Sequence, residues 1–417
     1  MTEPAIPLWT IFTATCPPFS PARSGSIPDL TLPPPLLMPA TAPLHTYHGF
    51  VANWTLATDP CQHPHLGGLH GSFVRPLRKS TTGQLIPVFS TAKMAGNNDI
   101  LVPAAMYYSG WDMFEADPVE INSTSWNQKA NAIAWRGRAS GGISTASNFM
   151  RFQRHRFLAM TNATTVAAAE ACPQTNPRLG QNRKKRRWHG HSGASATSAP
   201  QHPNANCNDS TPGSIPFYTL PNPSTYPLPL AHSSSTRSTL SSWLSTWSPP
   251  TSTGFTNLTC RVPSGPNGTC PYNDDYFSPL PPLNLSAQIN GFKYLPDIDG
   301  NSFSGRYRGF LLSTSVPLKA TIYKEWHDKR LVPWAHFVPF DNTFVDLFGV
   351  MEYFIGDGVG RGGHDDQARR IAEDGKAWAE RVLRKEDMEV YMLRLLLEWA
   401  RVCDLQRERI GFVGDLV

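Results

Sequence analysis

The sequence predicts an α/β protein, and three observations carry that prediction. Between 292 and 355 the apolar runs read strand, helix, strand, strand, helix, at 292–296, 306–312, 318–323, 334–338 and 344–355. Two glycine-rich loops follow predicted strands, where a parallel sheet gathers its binding loops. The stretch 366–404 repeats apolar residues at three- and four-residue steps, the period of a packed helix.

Taken in chain order, residues 1 to about 125 are rich in turns, with short strand-like runs at 85–89 and 100–103. A third short run, 132–135, leads into Trp135-Arg136-Gly137-Arg138-Ala139-Ser140-Gly141-Gly142. The next segment, 149–160, reads as a helix in which Arg151, Arg154, His155 and Arg156 alternate with Phe152, Phe157 and Leu158. From about 174 to 255 the composition turns to Ser, Pro, Thr and Asn with little periodicity, which predicts a disordered insert. The helix at 366–404 presents Ile371, Trp378, Val382, Met392, Leu395, Leu396, Trp399 and Val402 mostly on one face, and Gly375 is expected to weaken or divide it. The predicted division is 1–125; 126–355, which carries the 174–255 insert; and 356–417, a helical segment.

Composition bounds the function only loosely. The chain has 417 residues, 40% hydrophobic and 17% charged, with 39 prolines and 31 glycines. That is too apolar for a wholly disordered protein and too proline-rich for a compact helical one. A net charge of +5 does not by itself indicate nucleic acid. The seven cysteines form no CxxC and no zinc-finger spacing. Cys260 and Cys270 close a short Pro/Gly/Asn loop that suits a disulfide, and the odd total leaves at least one thiol unpaired. Sequons at Asn53, Asn122, Asn162, Asn208, Asn257, Asn267 and Asn284 lean towards a secretory lumen. No apolar run reaches the length of a membrane span, and 6–16 lacks the basic start of a signal peptide. A luminal protein would then need a targeting segment ahead of this chain.

The candidate chemistry lies in the two Gly/Arg loops. In 135–142 glycine lets the backbone approach an anion and arginine supplies paired donors. In 299–306, Asp299-Gly300-Asn301-Ser302-Phe303-Ser304-Gly305-Arg306 opens a helix with an arginine in its first turn. Each alone also reads as an ordinary turn, and neither is a Walker A or GxGxxG match. Together in one α/β chain they point to a diphosphate. Asp297-Ile298-Asp299 has the spacing of a metal-holding pair, set against the turn-forming habit of aspartate. His70-Gly71, Glu325-Trp326-His327-Asp328 and His364-Asp365-Asp366 are further polar clusters, and the absence of GxSxG disfavours an α/β-hydrolase. The run 183–187 reads as a solvated charge cluster or as a nucleic-acid patch, and only Trp188 offers it a stacking base.

The run from Lys293 to Arg308, continued by 312–315 and 324–339, resembles the core motif of glycosyltransferase family 90, the group of fungal capsule-associated xylosyltransferases and Rumi-type protein O-glucosyltransferases. Trp135-Arg136-Gly137 resembles the family's upstream Arg-Gly loop. The resemblance implies a GT-B arrangement: two Rossmann-like domains facing across a cleft, with the C-terminal helix packing over both. It also implies a UDP-sugar donor (UDP-xylose or UDP-glucose), a glycan or protein hydroxyl as acceptor, inversion at the anomeric carbon, no metal or other cofactor and no nucleic acid. Carried over residue by residue, Arg136, Gly137, Ser140, Asn301, Ser304 and Arg306 would cradle UDP. The family's base is an aspartate shortly after a Pro-Asp pair. Pro28-Asp29 is present here, but 30–40 contains no carboxylate, which leaves Asp29 as the catalytic candidate. The implied location is the Golgi or ER lumen, with a membrane anchor that this chain does not contain.

Overall fold

A computed structural model of the chain describes residues 7–31, 43–77, 86–109, 124–145, 147–171, 240–258, 277, 279–358, 362–407 and 409–410. The elements that build the site are, in chain order, α1 (Leu8–Thr13), α2 (Gly71–Val74), β1 (Ala130–Ile133), β2 (Trp135–Arg138), α3 (Gln153–Thr161), α4 (Ala163–Ala171), α5 (Leu240–Trp247), β3 (Thr253–Asn257), α6 (Leu285–Gly291), β4 (Phe292–Ile298), α7 (Tyr307–Leu311), β5 (Val316–Ala320), β6 (Val338–Pro339), α8 (Leu347–Ile355), α9 (Asp365–Val382) and α10 (Lys385–Cys403).

The central sheet is parallel throughout, in the order β6-β5-β4-β1. At Ala134 the chain leaves β4, and β2 pairs in parallel with β3 instead. One stretch, 130–138, therefore serves two neighbours, and its end is carried out over the side of the sheet. The strands β4 and β5 are almost wholly buried, as expected when helices cover both faces. Tyr294, Val316, Leu318 and Val338 pack with Phe344, Phe348 and Met351 around α8 in the largest core cluster.

The α/β class and the strand–helix order of 292–355 hold. Of 334–338, only Val338 joins the central sheet, because Trp334 takes a positive φ of 65° and turns the chain, leaving Phe337 in an isolated bridge with Pro333. Residues 240–257, read from composition as part of the insert, are instead ordered core. Trp243, Leu244 and Trp247 of α5 are buried in the main cluster, and β3 supplies the partner of β2. The Ser/Thr content hides this: Ser242, Ser245 and Thr246 are exposed between the aromatic anchors, while Ser241, Ser248 and Ser252 are buried with them. The basic run 183–187 and the Cys260–Cys270 loop lie outside the described residues.

The N-terminal part, among the described residues, is a set of short helices and two-residue strand pairs (Thr46–Tyr47 with Phe50–Val51, Phe89–Ser90 with Ile100–Leu101). The facing Rossmann sheet implied by the resemblance is not among these elements. The apolar start of the chain is a buried helix: Trp9 and Phe12 of α1 pack on Phe73, Leu66 and Ile322. A disulfide joins Cys16 to Cys61, and Cys403 is free and exposed.

The long C-terminal helix divides, but not at Gly375. That glycine lies buried inside α9, where a Cβ would come within 2.4 Å of the His336 carbonyl oxygen. The break falls at Leu383, where Arg308 Nε donates to the Leu383 carbonyl (2.8 Å) and Asp387 caps Arg384. The two halves contact different regions. α9 packs on α7, β5 and α8. α10 reaches the N-terminal part: Tyr391 donates to the Leu101 carbonyl (2.8 Å), Tyr108 to Glu389 (2.7 Å), and Trp399 meets Phe89. Within α10 only Met388 is buried, and Leu396 and Val402 of the predicted packing face are exposed. No helix among the described residues is long and apolar enough to cross a membrane.

Candidate active site

Parallel strands deliver their C-terminal ends to one edge. Here that edge carries the loops after β2 (139–143), β4 (299–306) and β5 (321–328). Two successive glycines shape the first loop. Gly141 and Gly142 have φ of +115° and +125°, a region closed to ordinary side chains. A Cβ on Gly142 would lie 2.6 Å from the carbonyl oxygens of Arg75 and Gly71. Their amides converge on one acceptor, Asn301 Oδ1 of the second loop, at 3.0 and 3.3 Å. His70 and Gly71 close the third side: Gly71 N donates to Gln153 Oε1 (3.0 Å), and a Cβ on Gly71 would meet the Gly141 carbonyl.

Beneath the loops lies Trp135, fully buried. Two guanidinium groups stand 5.3 Å from its ring, Arg306 and Arg154. Arg306 donates from Nη1 to the Arg136 carbonyl (2.6 Å). Its other N–H groups have no hydrogen-bond partner among the described residues. No carboxylate ion-pairs with either arginine among the described residues. Burial lowers the pKa of Arg306, with Asp297 opposing, and burial aided by Arg306 pulls Arg154 down to about 9. This edge of the sheet therefore holds two adjacent cations with no paired anion.

The structure brings the six predicted donor residues together, in different roles. Arg306 presents its fork, while the Arg136 side chain is directed elsewhere, donating to the carbonyls of Pro281 (3.2 Å) and Thr251. Arg136 meets Arg306 through its backbone oxygen. Gly137 lies against Trp135, where a Cβ would be 2.7 Å from the indole. Ser140 Oγ accepts from Arg154 (2.8 Å), Asn301 bridges the loops, and Ser304 is buried just before α7. Asp29 is exposed on the 68–71 side. Its carboxylate accepts from Thr31 N (2.9 Å) and Oγ1 (2.6 Å), and its carbonyl from Arg151, which also binds the Gly68 carbonyl (3.1 Å).

Below the edge is a buried polar cluster. Lys319 pairs with Asp297 (2.5 Å) and approaches Glu325 (3.7 Å), which accepts from Tyr107 (2.9 Å). Burial alone would lower the Lys319 pKa, but Asp297 and Glu325 more than offset it and hold the ammonium above its ordinary range. Burial pushes the Glu325 carboxyl well up. Asp299 accepts from Thr321 Oγ1 (2.6 Å) and Ile322 N (2.8 Å), with His70 at 3.6 Å. Both oxygens of Asp299 are thus occupied by protein donors, whereas Asp297 is engaged through Oδ2 and its Oδ1 is buried without a hydrogen-bond partner. Glu325, His327 and Asp328 place one ligand atom each within 4.8 Å of one another, the one such metal-ligand group among the described residues.

Sequence reasoning missed Arg154 and Lys319. Arg154 read as one of several basic residues interleaved on a helix, whereas every residue of α3 is buried. Lys319 sits in an apolar strand pattern that gave no sign of a buried ion pair.

Comparison with known proteins places part of this edge inside a matched segment. The family model described as Glycosyl transferase family 90 matches residues 279–410, which contain β4, the 299–306 loop, β5 and the C-terminal helices. Protein O-glucosyltransferase 3 of Rattus norvegicus is 29% identical over 110 residues, 26% of this chain and 20% of that protein. An O-glucosyltransferase rumi homolog of Aedes aegypti is 29% identical over 123 residues, 28% of each chain. Protein O-glucosyltransferase 2 of Danio rerio is 28% identical over 112 residues, covering 27% of this chain and 21% of the relative. The match thus spans about a fifth to a quarter of these relatives, and 135–142 lies outside the family match. The motif run 293–308 and the loop it forms lie inside the segment that matches glycosyltransferase family 90, and this part of the chain is similar to that family.

Proposed function

We propose that this protein transfers glucose or xylose from a UDP-sugar to a hydroxyl of a glycan or protein, with inversion at the anomeric carbon. One observation carries the reading: two buried arginines stand against Trp135 without an ion-paired carboxylate, at the edge where the two glycine loops meet. A diphosphate supplies the missing negative charge. The free N–H groups of Arg306 face the β-phosphate, where charge grows as the sugar departs. The arginines take the part a metal plays in other nucleotide-sugar enzymes, so the donor binds without one. The acceptor oxygen bonds to the anomeric carbon as the carbon–phosphate oxygen bond breaks. UDP leaves with the electron pair, and the acceptor proton passes to a base.

Asp29 is the proposed base, carried on the N-terminal side of a GT-B-like cleft between 1–125 and 126–355. A second reading, a catalytically impaired member that binds UDP-sugar or glycan, is favoured by one feature: the Asp29 carboxylate already accepts two hydrogen bonds from Thr31. The Cys16–Cys61 disulfide supports an oxidising compartment, in keeping with the secretory lumen. Incubating the purified chain with UDP-glucose and UDP-xylose, with and without glycan or peptide acceptors, tests the proposal. UDP release coupled to acceptor mass gain is expected. UDP binding without turnover would establish the second reading, and binding of neither UDP nor glycan would refute both.

A further inference from the structure

Arg154 and Arg156 lie two residues apart on α3, and both are buried. Both donate only to neutral acceptors, but to different ones. Arg156 donates to the carbonyls of Leu69 and Asn342 and to none in the 138–142 and 298–301 loops. Arg154 donates from Nε to the Asp299 carbonyl (2.9 Å) and from Nη2 to the Ile298 carbonyl (2.9 Å). From Nη1 it donates to the Arg138 carbonyl (2.9 Å) and Ser140 Oγ (2.8 Å). One planar group thus spans the ends of β2 and β4. Lysine has a single nitrogen and could not hold both loops in this geometry. The second loop closes on the guanidinium because residue 300 is glycine: a Cβ there would lie 2.9 Å from Arg154 Nη2 and 3.0 Å from Ser140 Oγ. A residue serving only stability would gain nothing from a second cation, Arg306, across the same indole ring.

We propose that Arg154 is a positioning residue of the donor site. It sets the spacing between the 138–142 and 298–301 loops and holds a fixed positive charge beneath the diphosphate, while Arg306 makes the contact. The proposal rests on the donor-site reading above. Arg154 has few N–H groups left to give a ligand, so its effect on the donor passes through the loops it joins.

The test compares Arg154→Lys with Arg156→Lys, the same exchange on the same helix. UDP affinity is measured by calorimetry, donor KM and kcat by UDP release, and loop opening by hydrogen exchange of peptides covering 138–143 and 298–302. Arg154→Lys is expected to weaken UDP binding and raise donor KM by roughly 10- to 100-fold, the scale of a displaced positioning group. Exchange in both loops should also speed up. Arg156→Lys should lower the thermal midpoint and leave UDP affinity unchanged. Unaltered UDP affinity in Arg154→Lys, or an equal loss in Arg156→Lys, overturns the proposal. Should Arg154→Lys not fold, Gly300→Ala presses on the same guanidinium from the other side and must weaken UDP in the same direction. Unaltered affinity there overturns the proposal equally. Wild-type protein that fails to bind UDP removes the donor-site reading itself, and this proposal with it.

Discussion

Replacing Arg306 with alanine tests the donor site most directly. In the folded chain this side chain is 9% exposed, packs on Trp135 and Phe310 at 5.3 and 5.6 Å, and spends one hydrogen bond on the Arg136 carbonyl. Two effects on stability oppose each other. Losing the carbonyl bond and the ring contacts costs about 2–4 kcal/mol. Removing a buried cation with no ion-paired carboxylate returns an amount of the same order. The thermal midpoint should therefore move little. Binding has no such compensation. Two charge-assisted hydrogen bonds from the unspent N–H groups to a diphosphate are worth about 3–6 kcal/mol. UDP affinity should accordingly fall by roughly 10²- to 10⁴-fold at 1.4 kcal/mol per decade. Arg306→Lys keeps the charge but loses the fork and should fall between wild type and alanine. Calorimetric titration with UDP, alongside thermal denaturation, reads both quantities. Folded Arg306→Ala protein with wild-type UDP affinity would refute the assignment.

Three further outcomes are expected. Replacing Cys16 and Cys61 together by serine should cost roughly 4 kcal/mol in urea unfolding, from the 45-residue separation that the bond closes; an equal wild-type midpoint with and without reductant would contradict this. Trp247→Ala, deep in the main core and 5.2 Å from Trp243, should cost about 3–5 kcal/mol, whereas a residue in a loose insert would cost almost nothing. Burial lowers the His327 pKa to about 3, so the unfolded imidazole takes up a proton near pH 6.5 that the folded one refuses. Its contribution to stability is complete above that range and is lost as pH falls towards 3. His327→Gln should flatten the decline in unfolding free energy between pH 6.5 and 4, and an unchanged slope would dismiss the effect.

Local pattern was sufficient for the elements nearest the site. The strand at 292–298, the loop that follows and the helix at 307–311 were legible because apolar period, glycine placement and a long motif all act over neighbouring residues. The place of Arg306 at the end of that loop, ahead of the helix, was legible for the same reason. Composition misled at 240–257, where serines and threonines outnumber the aromatics that bury the segment. It also misled at Gly375, whose role is close approach to His336 rather than a helix break. The Cys16–Cys61 pairing and the destination of each arginine could not be read at all.

The sequence by itself determined the α/β class, the order of the strands and which two loops carry glycine and arginine, since these follow from residue type and spacing along the chain. Tertiary structure alone decided what those residues do. It turned the Arg136 side chain to distant carbonyls, left the fork of Arg306 unspent, and enlisted Arg154 to join the loops. A guanidinium is the same group in all three places. What distinguishes them is which acceptors the fold brings within hydrogen-bond reach, and those acceptors are backbone oxygens up to 170 residues away.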